Sequence, residues 1–173
     1  MATTKNTIGT EHRASAKMTN LPISTKQSIE ISRYLRYKNT TFAKKFLGEV
    51  ALLRKAVPFT RFTQDMGHKA GMAAGRYPQK AAREFLRLIK SVEANAHAKG
   101  LNTTNLKIVK LLANKASIPL TGGRIRHGTK RTHLEVMVME ALTEQNSAKS
   151  TASKKARKKT LPAADKKQNE AQS

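Results

Sequence analysis

The 173-residue chain has no cysteine, no tryptophan, only 5% aromatic residues, and 11 acidic residues against 34 lysines and arginines. Each shortage excludes something. Without cysteine there is no disulfide scaffold, no thiolate nucleophile and no cysteine-ligated zinc ribbon. No run approaches the ~18 apolar residues of a membrane-spanning helix. Met1 to Lys17 lacks the apolar stretch of a signal peptide, so a cytosolic protein is expected, and scarce aromatics argue against a membrane-surface helix. No phosphate loop ends in Gly-Lys-Ser/Thr, and no serine sits in a Gly-x-Ser-x-Gly turn. The five histidines (His12, His68, His97, His127, His133) form no pair at helical ligand spacing. Eleven scattered acids offer no evident acid/base pair. The expectation is a protein with no catalytic residue, no cofactor and no metal.

What is present is positive charge, +23 net, which calls for a polyanionic partner and favours nucleic acid. The 38% hydrophobic content is below the ~45–50% usual for globular chains, as expected of one small domain with polar extensions. Residues 1–17 read as a basic N-terminal extension, 18–142 as the domain, and 143–173 as a Lys-rich tail expected to be disordered.

Three segments of the domain have helical period. Ser24 and Gln27 have capping-box spacing, and Ile31, Tyr34 and Leu35 share a face, predicting a helix over Thr25–Arg36. Thr40 or Thr41 can cap a second helix with a stripe of Phe42, Phe46, Val50 and Leu53, bounded by Pro58. Pro78 opens a third, in which Ala81, Phe85, Leu88 and Val92, widened by Ala82, Leu86 and Ile89, face inward and Gly100 supplies a left-handed stop. Lys80, Arg83, Arg87 and Lys90 line its opposite face, as either a solvated face or a phosphate contact.

Beyond Gly100 the period becomes that of strands: Leu106 to Leu112, and Leu134, Val136 and Val138 alternating with more polar neighbours. Between them Asn114 to Arg131 holds Lys115, Arg124, Arg126, His127, Lys130 and Arg131 and no acid. A floppy loop is one reading; an antiparallel hairpin is favoured, because an acid-free arm repels itself in water and becomes stable among phosphates. Fully extended, such an arm spans on the order of 30 Å. The connection Pro58 to Tyr77 carries Gly67, Gly71 and Gly75 with Arg61, Lys69 and Arg76. Its glycines and cations suit close approach to nucleotides, whereas Phe59 and Phe62 read as anchors to the core.

Four segments, AVPFTRFTQDMGHKAG (Ala56 to Gly71), GRYPQKAAREFLRLIKSVEANAHAKGL (Gly75 to Leu101), LKIVKLLANKA (Leu106 to Ala116) and THLEVMVMEA (Thr132 to Ala141), closely resemble the universal large-subunit ribosomal protein family numbered twenty-two in bacteria and seventeen in eukaryotes. The resemblance runs from about Asn20 to Glu140, and the Val57-Pro58-Phe59-x-Arg61-Phe62 segment looks archaeal-type. It implies an α+β domain, three helices on a small antiparallel sheet with a long projecting β-hairpin, located in the cytoplasmic large ribosomal subunit. Implied partners are large-subunit ribosomal RNA, neighbouring large-subunit proteins and, near the hairpin tip, the nascent peptide; a membrane is not among them. The hairpin is implied to run toward the wall of the peptide exit tunnel, with Pro119, Leu120, Thr121, Gly122 and Gly123 at its tip. It is shorter and has fewer arginines than the usual family tip.

Charge and resemblance together give an expected RNA-contacting set of Arg54, Lys55, Arg61, Lys69, Arg76, Lys80, Arg83, Arg87, Lys115, Arg124, Arg126, His127, Lys130 and Arg131. The rival is a chromatin-like or regulatory DNA-binding protein, motivated by the lysine tail. It would want a polar recognition cluster on the third helix, and that helix shows none.

Overall fold

The computed structural model describes residues 12–119 and 128–141; residues 1–11, 120–127 and 142–173 lie outside them. Six strands and three helices follow in order: β1 (Arg13–Leu21), α1 (Thr25–Leu35), α2 (Thr40–Ala51), β2 (Val57–Phe59), β3 (His68–Lys69), β4 (Met72–Arg76), α3 (Gln79–Ala98), a 3-10 turn (Thr103–Asn105), β5 (Leu106–Lys115) and β6 (Thr132–Glu140).

The main sheet is antiparallel with order β1-β6-β5. Central β6 buries Thr132, Leu134, Val136 and Val138 on one face, the period-two alternation expected of a half-buried strand. β5 cannot alternate cleanly: Leu106 and Ile108 are buried, then Leu111. The register jumps between Ile108 and Lys110, so Val109 is a bulge that shifts inward residues from even to odd positions. β1 begins at Arg13, inside the residues 1–17 assigned by composition to an extension, and pairs with β6 from Arg13↔Met139 to Leu21↔Thr132.

α3 covers this sheet with Ala81, Ala82, Phe85, Leu88, Ile89, Val92 and Ala96 buried, the expected stripe with Leu86 only partly covered. Its end is a Schellman motif. Gly100 has φ +73°, the Leu101 N–H donates to the Ala96 carbonyl at 3.0 Å, and the Gly100 N–H donates to the His97 carbonyl at 2.9 Å.

The first two helices depart from expectation at their ends. Ser24 does occupy the N-cap of α1, but its side chain makes no capping bond. Instead the Ser28 hydroxyl donates back to the Ser24 carbonyl at 2.9 Å, the local competition that serines offer. Asn39, rather than Thr40 or Thr41, occupies the N-cap of α2, and Thr40 is buried as the first helical residue. The inward face of α2 is Ala43, Phe46, Leu47 and Val50. Phe42 is 42% and Leu53 55% exposed. Leu53 leaves the stripe because the helix stops at Ala51 and Leu53 turns into the left-handed region at φ +62°.

The Pro58–Tyr77 connection, expected as a link, forms a second antiparallel sheet of order β2-β4-β3. Pro58 is tolerated because β2 is an edge strand, where its missing N–H breaks no ladder. Gly71 makes the β3–β4 turn at φ +74°. Gly75 lets chains close up: a Cβ there would lie 2.8 Å from Met72 Sδ and 3.3 Å from Ala56 Cβ.

Candidate nucleic-acid interface

The expected cations fall into three groups. On α3, Lys80, Arg83, Arg87 and Lys90 are all exposed, opposite the apolar stripe. Glu84 holds Arg87 at 3.3 Å; among the described residues Lys80, Arg83 and Lys90 have no carboxylate within 4 Å. The far end of the helix uses its polar groups on the protein itself, Asn95 Nδ2 donating to the Ser15 carbonyl at 2.9 Å and Lys99 Nζ to the Arg13 carbonyl at 3.0 Å. These bonds fasten α3 along β1.

The second group surrounds the small sheet. Arg76 pairs with Val57 in the ladder, placing it two residues in register from Lys55 and four residues before Lys80. Lys55 is tied to Glu49 at 2.7 Å; the hydrogen bond between them, then their charges, lowers the glutamate pKa and raises that of the lysine. Arg54 is exposed beside it. Lys69 Nζ lies 5.3 Å from the Tyr77 ring centroid. Arg61 and Lys26 approach the Phe62 ring at 5.4 and 5.8 Å. Phe59 is buried and Phe62 packs against the core, so both rings are anchors, as expected.

Composition did not reveal what holds this second group. Glu30 of α1 is 1% exposed and its carboxylate accepts from the backbone N–H groups of Arg61 at 2.8 Å, Phe62 at 2.9 Å and Thr60 at 3.2 Å, and from the Thr60 hydroxyl at 3.3 Å. Burial alone pushes its pKa up; the donors from Phe62, Thr60 and Arg61 outweigh burial and hold it below the ordinary carboxylate value. A buried anion thereby fixes the backbone that carries Arg61. The only sequence signal was an acid beside Ile31 on the inward face of a basic helix.

The third group is the hairpin root. β5 and β6 pair to Lys115↔Thr132. Beyond that, the Ala116 N–H donates to the Arg131 carbonyl at 3.0 Å and the Thr129 N–H to the Pro119 carbonyl at 3.2 Å. The arms therefore stay joined to the edge of the described residues. Lys115 and Lys130 are solvent-accessible, and Pro119 is exposed. Arg131 is half-buried and Nη1 donates to the Asn20 carbonyl at 3.2 Å, making it a brace between hairpin and β1. The buried Thr132 hydroxyl donates to the Ile23 carbonyl at 2.9 Å and meets Thr25 Oγ1 at 3.0 Å. Arg124, Arg126, His127, Leu120, Thr121, Gly122 and Gly123 lie outside the described residues.

Fold and surface together define a class: a basic α+β scaffold whose chemistry is the presentation of cations from a rigid body. None of its described helices is long and apolar enough to cross a membrane. Residues 16–139 match the family described as Ribosomal protein L22p/L17e. The chain is 43% identical over 143 residues to large ribosomal subunit protein uL22 of Methanoculleus marisnigri, covering 78% of this chain and 94% of that one. It is 41% identical over 142 residues to uL22 of Ignicoccus hospitalis (75% and 89% covered) and 37% over 149 to uL22 of Methanococcoides burtonii (81% and 99%). The chain belongs to the L22p/L17e ribosomal protein family, in its archaeal type, and is a structural protein rather than an enzyme.

Proposed function

We propose that this protein binds large-subunit ribosomal RNA, supports its folding into the particle, and sends its hairpin toward the wall of the peptide exit tunnel, where the tip meets the nascent chain. The observation that carries the reading is the cation line Lys80, Arg83, Lys90 without carboxylate partners among the described residues, accompanied by Lys69 and Arg76 on the small sheet, Arg61 just past β2, and Lys115 and Lys130 at the hairpin root. Each phosphate neutralised releases condensed counterions, so affinity comes from charge and falls steeply with salt. Rigidity matters as much: phosphate contacts set register and orientation only if their donors are fixed, and Glu30 holds the backbone at Arg61 while Arg131 and Thr132 brace the hairpin root. Neighbouring large-subunit proteins are the other expected partners.

Sedimentation tests the reading. In gently lysed cells at low salt the protein should travel with the large subunit and be stripped by high salt; migration free of ribosomal particles at low salt would refute it.

A further inference from the structure

The corner between α1 and α2 carries a feature that the cation groups leave unexplained. Tyr37 is 66% exposed, the most exposed large hydrophobic side chain among the described residues. Its backbone has φ +66°, a region that bulky residues enter only under strain. Two hydrogen bonds impose it: the Tyr37 N–H donates to the Ile108 carbonyl at 2.9 Å, and the Ile108 N–H donates to the Lys38 carbonyl at 2.9 Å. A bridge between Asn39 and Lys107 continues the attachment. The corner is thus stitched to the edge of β5, and the ring projects from a fixed backbone.

Neighbouring rings behave differently. Tyr34 packs on Phe46 at 4.5 Å, Phe42 stacks on Phe46 at 6.1 Å, and Lys38 Nζ lies over Tyr34 and Phe42 at 3.9 and 4.7 Å. Tyr37 takes part in none of these contacts, and for its backbone conformation glycine would suit the position better. The segments that meet here, 31–38 and 106–110, contain Arg33, Arg36, Lys38, Lys107 and Lys110 and no acid. Arg36 Nη2 donates to the Leu111 carbonyl at 3.2 Å and Lys38 sits over the Tyr34 and Phe42 rings. Among the described residues Arg33, Lys107 and Lys110 have no carboxylate within 4 Å, and an apolar protein surface laid over the ring would leave them desolvated and unpaired. An unstacked nucleobase supplies a flat face for the ring and phosphates for the cations.

We infer that Tyr37 is a stacking platform for one unpaired base of ribosomal RNA, a site additional to the phosphate contacts; the inference rests on the RNA-binding reading above. The test is binding of the full chain to a large-subunit ribosomal RNA transcript over a salt series, with thermal melting of each variant. Tyr37→Phe should bind as the unsubstituted chain does. Tyr37→Ala and Tyr37→Gly should bind roughly tenfold more weakly at every salt concentration, with the salt slope unchanged because every cation still meets its phosphate. Tyr37→Gly should not melt lower, because glycine adopts φ +66° freely; weaker binding at full stability is what a purely structural role does not produce. Unchanged binding of Tyr37→Gly would overturn the inference. So would normal transcript binding with poor retention in the assembled subunit, which would give the ring to a protein neighbour. Failure of the unsubstituted chain to bind the transcript would instead overturn the RNA reading, and this inference with it.

Discussion

The two sheets are held together by different physics. The main sheet is sealed by α3 over buried Phe85, Leu88, Ile89, Leu134, Val136 and Val138. The small sheet has strands of three, two and five residues and brings Val57, Phe59 and Ala74 to the core. What fixes its following turn is one buried carboxylate and the four donors around it. The apolar sheet therefore sets stability, the polar attachment sets where Arg61 stands, and the small ladder itself carries Lys69 and Arg76. On the proposed RNA-binding reading, the two tasks are separated in this way.

The largest loss is expected at the core. Phe85→Ala should cost about 3–5 kcal/mol and lower thermal stability of both sheets together; an effect confined to one sheet in hydrogen exchange would contradict a shared core. Glu30→Gln should come next, about 2–4 kcal/mol, because an amide replaces a carboxylate among four donors. Hydrogen exchange should localise the loosening to residues 60–62 while β6 amides stay protected. Its pH dependence has a definite sign. The pKa of Glu30 is lowered in the folded protein, so its stabilisation is complete above the ordinary carboxylate range and disappears as pH falls through the folded value. The stability gap between parent and Glu30→Gln should close on acidification; a gap that widens would refute the attribution. Smallest is Lys55→Ala, which opens the solvent-screened Glu49 pair and should leave the chemical-denaturation midpoint close to that of the parent.

Legibility followed the range of the interactions. The α3 stripe and the Gly100 stop could be read because apolar and cationic residues divide one helix at fixed spacing. β6 was legible for the same reason at period two. β1 was not: Ala14 and Ala16 alternate with Ser15 and Lys17, but small alanines give a weak signal, and the partner strand lies more than a hundred residues away. The Val109 bulge hid the inward face of β5, and the left-handed turn at Leu53 took that residue from its stripe. At the candidate interface, residue types were legible but their engagement was not. Arg131 reads as one more cation, yet its guanidinium braces Asn20. Glu30 reads as one of few acids, yet it organises a turn about thirty residues away.

On the proposed reading, Lys80, Arg83 and Lys90 on the exposed face of α3 meet phosphates while contributing nothing to the fold. The most direct measurement is the slope of log affinity against log salt for the full chain and for Lys80→Ala/Arg83→Ala/Lys90→Ala on a large-subunit ribosomal RNA transcript. The slope should be shallower by about three, roughly one for each cation removed, with melting temperature unchanged. An unchanged slope with an unchanged melting temperature would contradict it.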